Sequence, residues 1–457
     1  MREFPYRFFY KPRGAAAADF IPFFHDGVFH LFYLHDWRDM NSHGEGTPWF
    51  LLETEDFVSF SELGEAVPRG NADEDDLYVF TGSVIEAADR SGFHLFYTAH
   101  NPHRSPVEKI AHAVSRDLLH WEKLPDCSFR AETGYDGDNL RDPFVFYDGD
   151  AGLYRMALVK RREGGTYTAG LVGQYTSRDL FQWEPAEPFW APGLYHTHEC
   201  PDLFCIGDYW YLIYSEYSDR NLTRYAMARN PIGPWRIPED DAFDGRAFYA
   251  AKTASDGEKR YLFGWIPTRE GDRDDGCFQW GGNLAVTEIR QRPDGTLAAG
   301  MPERSFTRWK RFRDLPVVSL SAPGARRDAL LSENAGAVFL LSGELVFSRP
   351  IRSLSLLLSA DKTSLRGYKF EISPGEDRVR FGRTDRSILE QGLSRPLPKV
   401  RPDRISFRLV LDHDIAVIYL DGEIVLSARI CDPEGDALLL SAVDGDATLE
   451  HGTLYVL

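Results

Sequence analysis

The sequence predicts an all-β chain, a five-bladed β-propeller over residues 1–308 followed by a C-terminal β-sandwich over residues 309–457. Two observations predict the propeller and a third predicts the sandwich. Five similar segments show the two-residue period of a half-buried strand. They are "DGVFHLFYLHD" from Asp26, "SGFHLFYTAHN" from Ser91, "AGLYRMALVKR" from Ala151, "GDYWYLIYSEY" from Gly207 and "EKRYLFGWIPT" from Glu258. The associated glycines Gly27, Gly92, Gly152, Gly207 and Gly257 step by 65, 60, 55 and 50 residues. That period suits a four-stranded sheet with its loops and exceeds a helical repeat. Past residue 310 the pattern changes to alternating strands on short turns, with Asp421-Gly422 as a hairpin signal.

A second element follows most of the repeats: "TEDFVSF" from Thr54, "SRDLLHW" from Ser115, "SRDLFQW" from Ser177 and "ARNPIGPW" from Ala228. Polar residues, a turn and then an aromatic describe the bend into a blade's outer strand. Five such units closing on themselves leave only short, protected sheet edges, whereas a string of separate sandwiches needs linkers that the sequence lacks. In the C-terminal part, "SLSLLLSA" from Ser353 and "RISFRLVLDHDIAVIYLDGEIVLSARI" from Arg404 supply the sandwich strands.

Composition narrows the partners. Lys and Arg number 52 against 70 Asp and Glu, a net charge of −18, so the average field repels nucleic acid and anionic membranes. Five cysteines in 457 residues make no disulfide framework. The start, "MREFPYRFFYKPRG", shows no basic segment followed by an apolar run, and no stretch of 18 apolar residues is present. The expectation is a cytoplasmic protein with a small neutral or cationic substrate and no cofactor.

The acids carry the functional signal. Glu199 lies eight residues before Gly207 and Asp19 eight before Gly27; Asp142 lies seven before Gly149 and ten before Gly152. The second repeat has Ser83 and Val84 at that place and the fifth has Tyr249. First strands of propeller blades line the central channel, so these acids are expected to meet in one axial funnel. Like charges held together raise the pKa of at least one member, and a protonated acid beside ionised ones can cleave a glycosidic bond.

"RDP" at 141–143, "EC" at 199–200 and "FTGS" at 80–83 resemble, in order and spacing, signature motifs of glycoside hydrolase family 32, the invertases, levanases and inulinases. "FYAAKTASDGEKRYLFGWIPT" from Phe248 and "WGGNLAVTEIRQRPDGTL" from Trp280 extend the resemblance, which covers nearly the whole chain with the C-terminal sandwich as its weaker part. It implies a retaining enzyme acting on β-fructofuranosides, by hydrolysis or transfer, with another furanoside or a non-catalytic sugar-binding propeller as alternatives. It further implies Asp19 as nucleophile, Glu199 as general acid and base, and Asp142 as stabiliser of the transition state. Arg141 would hold the carboxylates, Cys200 would pack against the acid, and Trp49 would wall the sugar pocket. Phe80, Ser83, Tyr249 and Trp280 complete the expected substrate contacts.

The first motif departs from the family. Where the family has Asn, Asp, Pro, Asn and Gly, this chain has Ala18, Asp19, Phe20, Ile21 and Pro22, and the Gln expected after the first repeat is missing from "FYLHD". His25, His35 or Asp36 is the expected replacement for the lost hydroxyl contacts. The HxH of His196 and His198 invites a metal, but no further ligands follow at a zinc spacing, and no metal site is expected. "NADEDD" from Asn71 lacks the Gly and distal Glu of a calcium loop and reads as a solvated turn.

Overall fold

The computed structural model describes residues 3–348, 350–385, 392–399, 401 and 403–457. Its first part is a propeller of five blades, its second a β-sandwich. The five sequence repeats are the second strands of the blades, Val28–Asp36, Phe93–His100, Leu153–Arg161, Tyr209–Glu216 and Arg260–Arg269. Each is preceded by the blade's inner strand: Ala16–His25, Tyr78–Glu86, Arg141–Asp148, His198–Ile206 and Tyr249–Ser255. Each inner strand packs against the next, and the fifth packs against the first, which closes the ring.

Within a blade the strands are antiparallel neighbours in chain order, as short hairpin connections require. Blade 4 has three strands, and its outer edge is extended only by bridges from Met227 to Arg236 and from Arg224 to Ala242. Blades 5 and 1 join at the seam, where Ala17 pairs with Gly282. The turn before the outer strand repeats one chemistry. Ser115 and Ser177 accept backbone N–H groups of Leu118 and Leu180, while Asp117 and Asp179 cap the two residues that follow.

The sandwich begins at the strand Lys310–Asp314 and folds around two long strands, Val318–Ser332 and Ala437–Val456. The inward residues of its strands, among them Leu356, Phe370, Leu409, Ile418 and Leu440, form one apolar core. A second core joins it to the propeller: Val410, Val417, Tyr419 and Val425 pack with Tyr211, Ala285 and Ile289. The chain start is part of this joint, because the carboxylate of buried Asp412 accepts the N–H groups of Arg7, Phe8 and Phe9.

Candidate active site

Every inner strand breaks its register near the end that faces the funnel. The irregularity falls between Ala18 and Ile21, Phe80 and Gly82, Glu199 and Asp202, and Tyr249 and Lys252; in blade 3 it lies opposite Ala157 to Val159. Each is a bulge that inserts one residue and re-aims its side chain. The inserted residues are Asp19, Thr81, Asp142, Cys200 and Ala250. Four of them adopt left-handed backbone, with φ of 41°, 58°, 50° and 51° at Asp19, Asp142, Cys200 and Ala250. Such φ values cost a non-glycine residue about 1–2 kcal/mol. In blade 2 the next residue must be glycine, since a Cβ on Gly82 would lie 1.9 Å from the Phe96 carbonyl oxygen.

The bulges correct the equivalence expected from counting back to the hairpin glycines. Asp19 and Asp142 are true counterparts, but Glu199 sits one residue earlier, in the place held by Ala18, Phe80, Arg141 and Tyr249. Hairpins of unequal length hide this offset in the sequence. Side chains from both positions nevertheless line one cavity of about 340 Å³, bounded by Asp19, Thr81, Glu108, Arg141, Asp142, Glu199, Tyr249 and Trp265, with Phe80, Gln279 and Trp280 at its wall.

Hydrogen bonds link each blade to the next around this cavity. Thr81 Oγ1 donates to Asp19 Oδ2 at 2.5 Å. The Asp142 N–H donates to Thr98 Oγ1 at 2.8 Å, and Thr98 donates to the Thr81 carbonyl at 3.0 Å. The Cys200 N–H donates to Asp142 Oδ2 at 2.9 Å, and Arg141 Nη2 donates to Glu199 Oε1 at 2.9 Å. Tyr249 donates its hydroxyl to Glu199 Oε2 at 2.7 Å. Trp265 Nε1 closes the circle on Asp19 Oδ1 at 2.9 Å.

Burial sets two of the acids apart from ordinary aspartates. Burial pushes Asp19 up to about 6; the bonds from Thr81 and Trp265 oppose that rise, and Glu199 adds to it. Relative to its ordinary value of 3.8, the shift corresponds to about 3 kcal/mol against the charged form. Burial likewise pushes Asp142 up to about 7, with Arg141 pulling it down and Glu199 raising it further. Burial alone would weaken the charge on Arg141, but Glu108, Glu199 and Asp142 outweigh it and hold the guanidinium firmly protonated. Both aspartates therefore change protonation well above the ordinary carboxylate range, between about pH 6 and 7.

Several expected contacts lie elsewhere. Trp49 is fully buried in the blade core, 6.1 Å from the Phe32 ring and 6.2 Å from Tyr97, and does not wall the cavity. It stands on the third strand, Trp49–Thr54, two strands out from the one that lines the funnel. Ser83 is also buried outside the cavity, where its Oγ accepts the Val145 N–H at 3.0 Å and fastens blade 3 to blade 2.

None of His25, His35 and Asp36 replaces the missing motif residues. His25 packs on Phe93, His35 stacks on Phe50, and Asp36 pairs with Arg38. His198 is buried among Trp190, Tyr195 and Tyr214, and burial lowers its pKa to about 3. Among the described residues, the group of acids and histidines close enough to share an ion is Glu344, Glu450 and His451, and Glu344 is already paired with Arg401 and Arg404.

Thr81, Thr98, Glu108 and Trp265 escaped the sequence reading. Thr81 stands inside the quoted "FTGS" and Trp265 inside "FGWIPT", but their role depends on contact between blades, which no periodicity reveals. Glu108 carries no local signal; it accepts the Leu140 N–H at 2.9 Å and lies 3.6 Å from Arg141. Trp280 does line the cavity, 39% exposed, with its segment fastened by Arg38 through Gln279 Oε1 at 2.8 Å and the Trp280 carbonyl.

Three carboxyl groups converging on one sugar-sized pocket are the equipment of a glycosidase. A model of the Glycosyl hydrolases family 32 N-terminal domain matches residues 21–291. The chain belongs to this family, whose members are retaining glycosidases of β-fructofuranosides. The match begins just past Asp19, where the first motif diverges. The chain is 25% identical to sucrose-6-phosphate hydrolase of Escherichia coli, over 94% of this chain and 90% of that protein. It is 26% identical to the levanbiose-producing levanase of Bacillus subtilis, over 51% of this chain and 42% of that protein. In fold it is similar to sucrose-6-phosphate hydrolase from Lactobacillus gasseri, with TM-score 0.78 and 16% identity over 99% of this chain and 93% of that one. Exo-inulinase from Aspergillus awamori gives TM-score 0.79 and 17% identity over 99% and 98% of the two chains.

Proposed function

We propose that this chain cleaves β-fructofuranosidic bonds with Asp19 as nucleophile, Glu199 as general acid and base, and Asp142 as stabiliser of the transition state. The circle of bonds between blades carries this reading, because it gives each carboxyl group a different partner set on one cavity. Asp19 is aimed by two neutral donors, Trp265 and Thr81, which orient a carboxylate without tying it into an ion pair. Ionised Asp19 attacks the anomeric carbon while the leaving oxygen takes the proton of Glu199. Water then attacks the fructosyl ester and gives its proton back to Glu199, restoring both groups.

Asp142 spends one oxygen on the Cys200 N–H and keeps the other for sugar hydroxyls, whose bonds strengthen as the ring gains oxocarbenium character. Arg141 and Tyr249 fix Glu199 between them. Trp280 and Phe80, with ring centroids 6.2 Å apart, offer apolar faces to the sugar. Ala18 and Phe20 are buried in the blade core, so the first strand contributes Asp19 alone to the substrate.

The test is release of fructose from sucrose, inulin, levan and short fructo-oligosaccharides by wild type, Asp19→Asn and Glu199→Gln. Release by wild type that is lost in both variants supports the assignment. Wild-type activity on arabinofuranosides with silence on every fructoside would overturn the substrate class.

A further inference from the structure

A sandwich residue reaches the wall of the active site. Arg429, at the end of the strand Ile424–Arg429, is buried, and its guanidinium is spent largely on the propeller. Nε donates to the Pro267 carbonyl at 2.7 Å, and Nη2 donates to the Ile266 carbonyl at 3.0 Å and to Asn283 Oδ1 at 2.8 Å. Nη1 donates to Asp414 Oδ2 at 2.6 Å, and Tyr6 donates to the other oxygen of Asp414 at 2.8 Å.

The acceptors matter because of where they lie. Ile266 and Pro267 directly follow Trp265, whose indole donates to Asp19. Asn283 faces Ile266 across the same strand pair and makes a second tie, donating Nδ2 to the Phe9 carbonyl at 3.0 Å. Its neighbour Gly282 pairs with both Pro267 and Ala17, two residues before Asp19. A planar guanidinium with its donors in a fixed fork holds such backbone more rigidly than a single donor can. We infer that Arg429 is a positioning residue for the reaction: by fixing the Ile266 and Pro267 carbonyls at the seam of blades 5 and 1, it keeps the Trp265 indole on Asp19. The sandwich on this account sets the geometry of the nucleophile as well as covering the propeller. The inference rests on Asp19 as the reacting carboxylate.

The test is the pH profile of kcat/KM on a fructoside, for wild type, Arg429→Lys, Trp265→Phe, the double variant and Ser427→Ala. The midpoint of the acid limb does not depend on how much enzyme is folded, so a loss of stability alone leaves it in place. Ser427 serves as control. It also crosses to the propeller, donating to Asp244 from the same strand, but far from Trp265 in the chain. Asp19 is further influenced by Glu199, Asp142, Cys200, Tyr249 and Lys252, and Arg429 by Asp414, Tyr6, Arg38 and Cys431; all are unchanged in these five proteins.

A hydrogen bond donated to a carboxylate favours its charged form, so losing the indole bond moves the acid limb upward, by about one pH unit. Arg429→Lys is expected to move it in the same direction, the double variant no further than Trp265→Phe, and Ser427→Ala not at all. An acid limb that moves in Trp265→Phe but stays at the wild-type pH in Arg429→Lys overturns the inference. Should Arg429→Lys fail to fold, Asp414→Asn, which loosens the guanidinium, is expected to shift the limb by a smaller amount, and an unmoved limb there overturns it equally. Wild-type activity in Asp19→Asn would instead sink the reading of Asp19 beneath it.

Discussion

The bulge of blade 1 and the residue just before the bulge of blade 4 present carboxylates to the same cavity, and their surroundings differ in kind. Around Asp19 stand two neutral donors, an indole and a hydroxyl, and burial wins against them to leave the pKa at about 6. Around Glu199 stand the Arg141 guanidinium, itself shared with Glu108, and the Tyr249 hydroxyl. An attacking group must be aimed while its charge stays available; a proton carrier must be held in place while its proton comes and goes. The fold meets both needs with one backbone device, a bulge at a strand end, which carries Asp19 as its inserted residue and Glu199 as the residue just before it, and the adjoining blades supply different neighbours.

Substitutions break this comparison in graded ways. Asp19→Asn removes the attacking group and should lower kcat by roughly 10⁴-fold or more, with no recovery when the leaving group is improved. Glu199→Gln should cost about 10²–10⁴-fold on sugars with poor leaving groups. Part of that loss should return with an aryl fructoside, whose departure needs no proton, and with added azide, which needs no general base. If both variants responded alike to leaving group and azide, the division of roles would be wrong.

Stability should move the other way at Asp19. Its folded pKa lies above the ordinary 3.8, so ionisation opposes folding at every pH above that value. Asp19→Asn is therefore expected to raise the melting temperature at pH 8, by a free energy of at most about 3 kcal/mol. The gain should be complete above pH 6 and fade as the pH falls toward 3.8; an unchanged melting temperature at pH 8 would mean that burial is not what raises this group. The smallest effect is expected at Trp49. Trp49→Phe should leave KM within about twofold and cost only stability, through the space it opens in the blade core, whereas Trp280→Ala should raise KM.

Much of this architecture is legible in the chain. The second strands stand out as aromatic and aliphatic runs repeated five times, but they are buried on both faces rather than half buried as their alternation suggested, because each blade is packed between its neighbours. The acids near the preceding strand ends stand out through the same repetition. What the sequence hides is geometry perpendicular to the strands. Trp49 has the right neighbours for a pocket wall, yet it sits two strands outward of the funnel-lining strand, and a two-residue period cannot say how far a strand lies from the axis. The bulges are silent too: Asp19, Asp142, Cys200 and Ala250 take left-handed backbone without being glycine. The strain is sustained by contacts from other blades that local sequence does not contain. Arg429 is the extreme case, a partner of the site from more than 160 residues away in the chain.

The most direct test of the central claim is to trap the intermediate. Glu199→Gln enzyme mixed with an aryl β-fructofuranoside, quenched in acid and digested, should yield one peptide heavier by a single fructosyl group, with the adduct on Asp19. An adduct on Asp142, or turnover of the aryl substrate with no covalent species at any time, would contradict the assignment of Asp19 as the nucleophile.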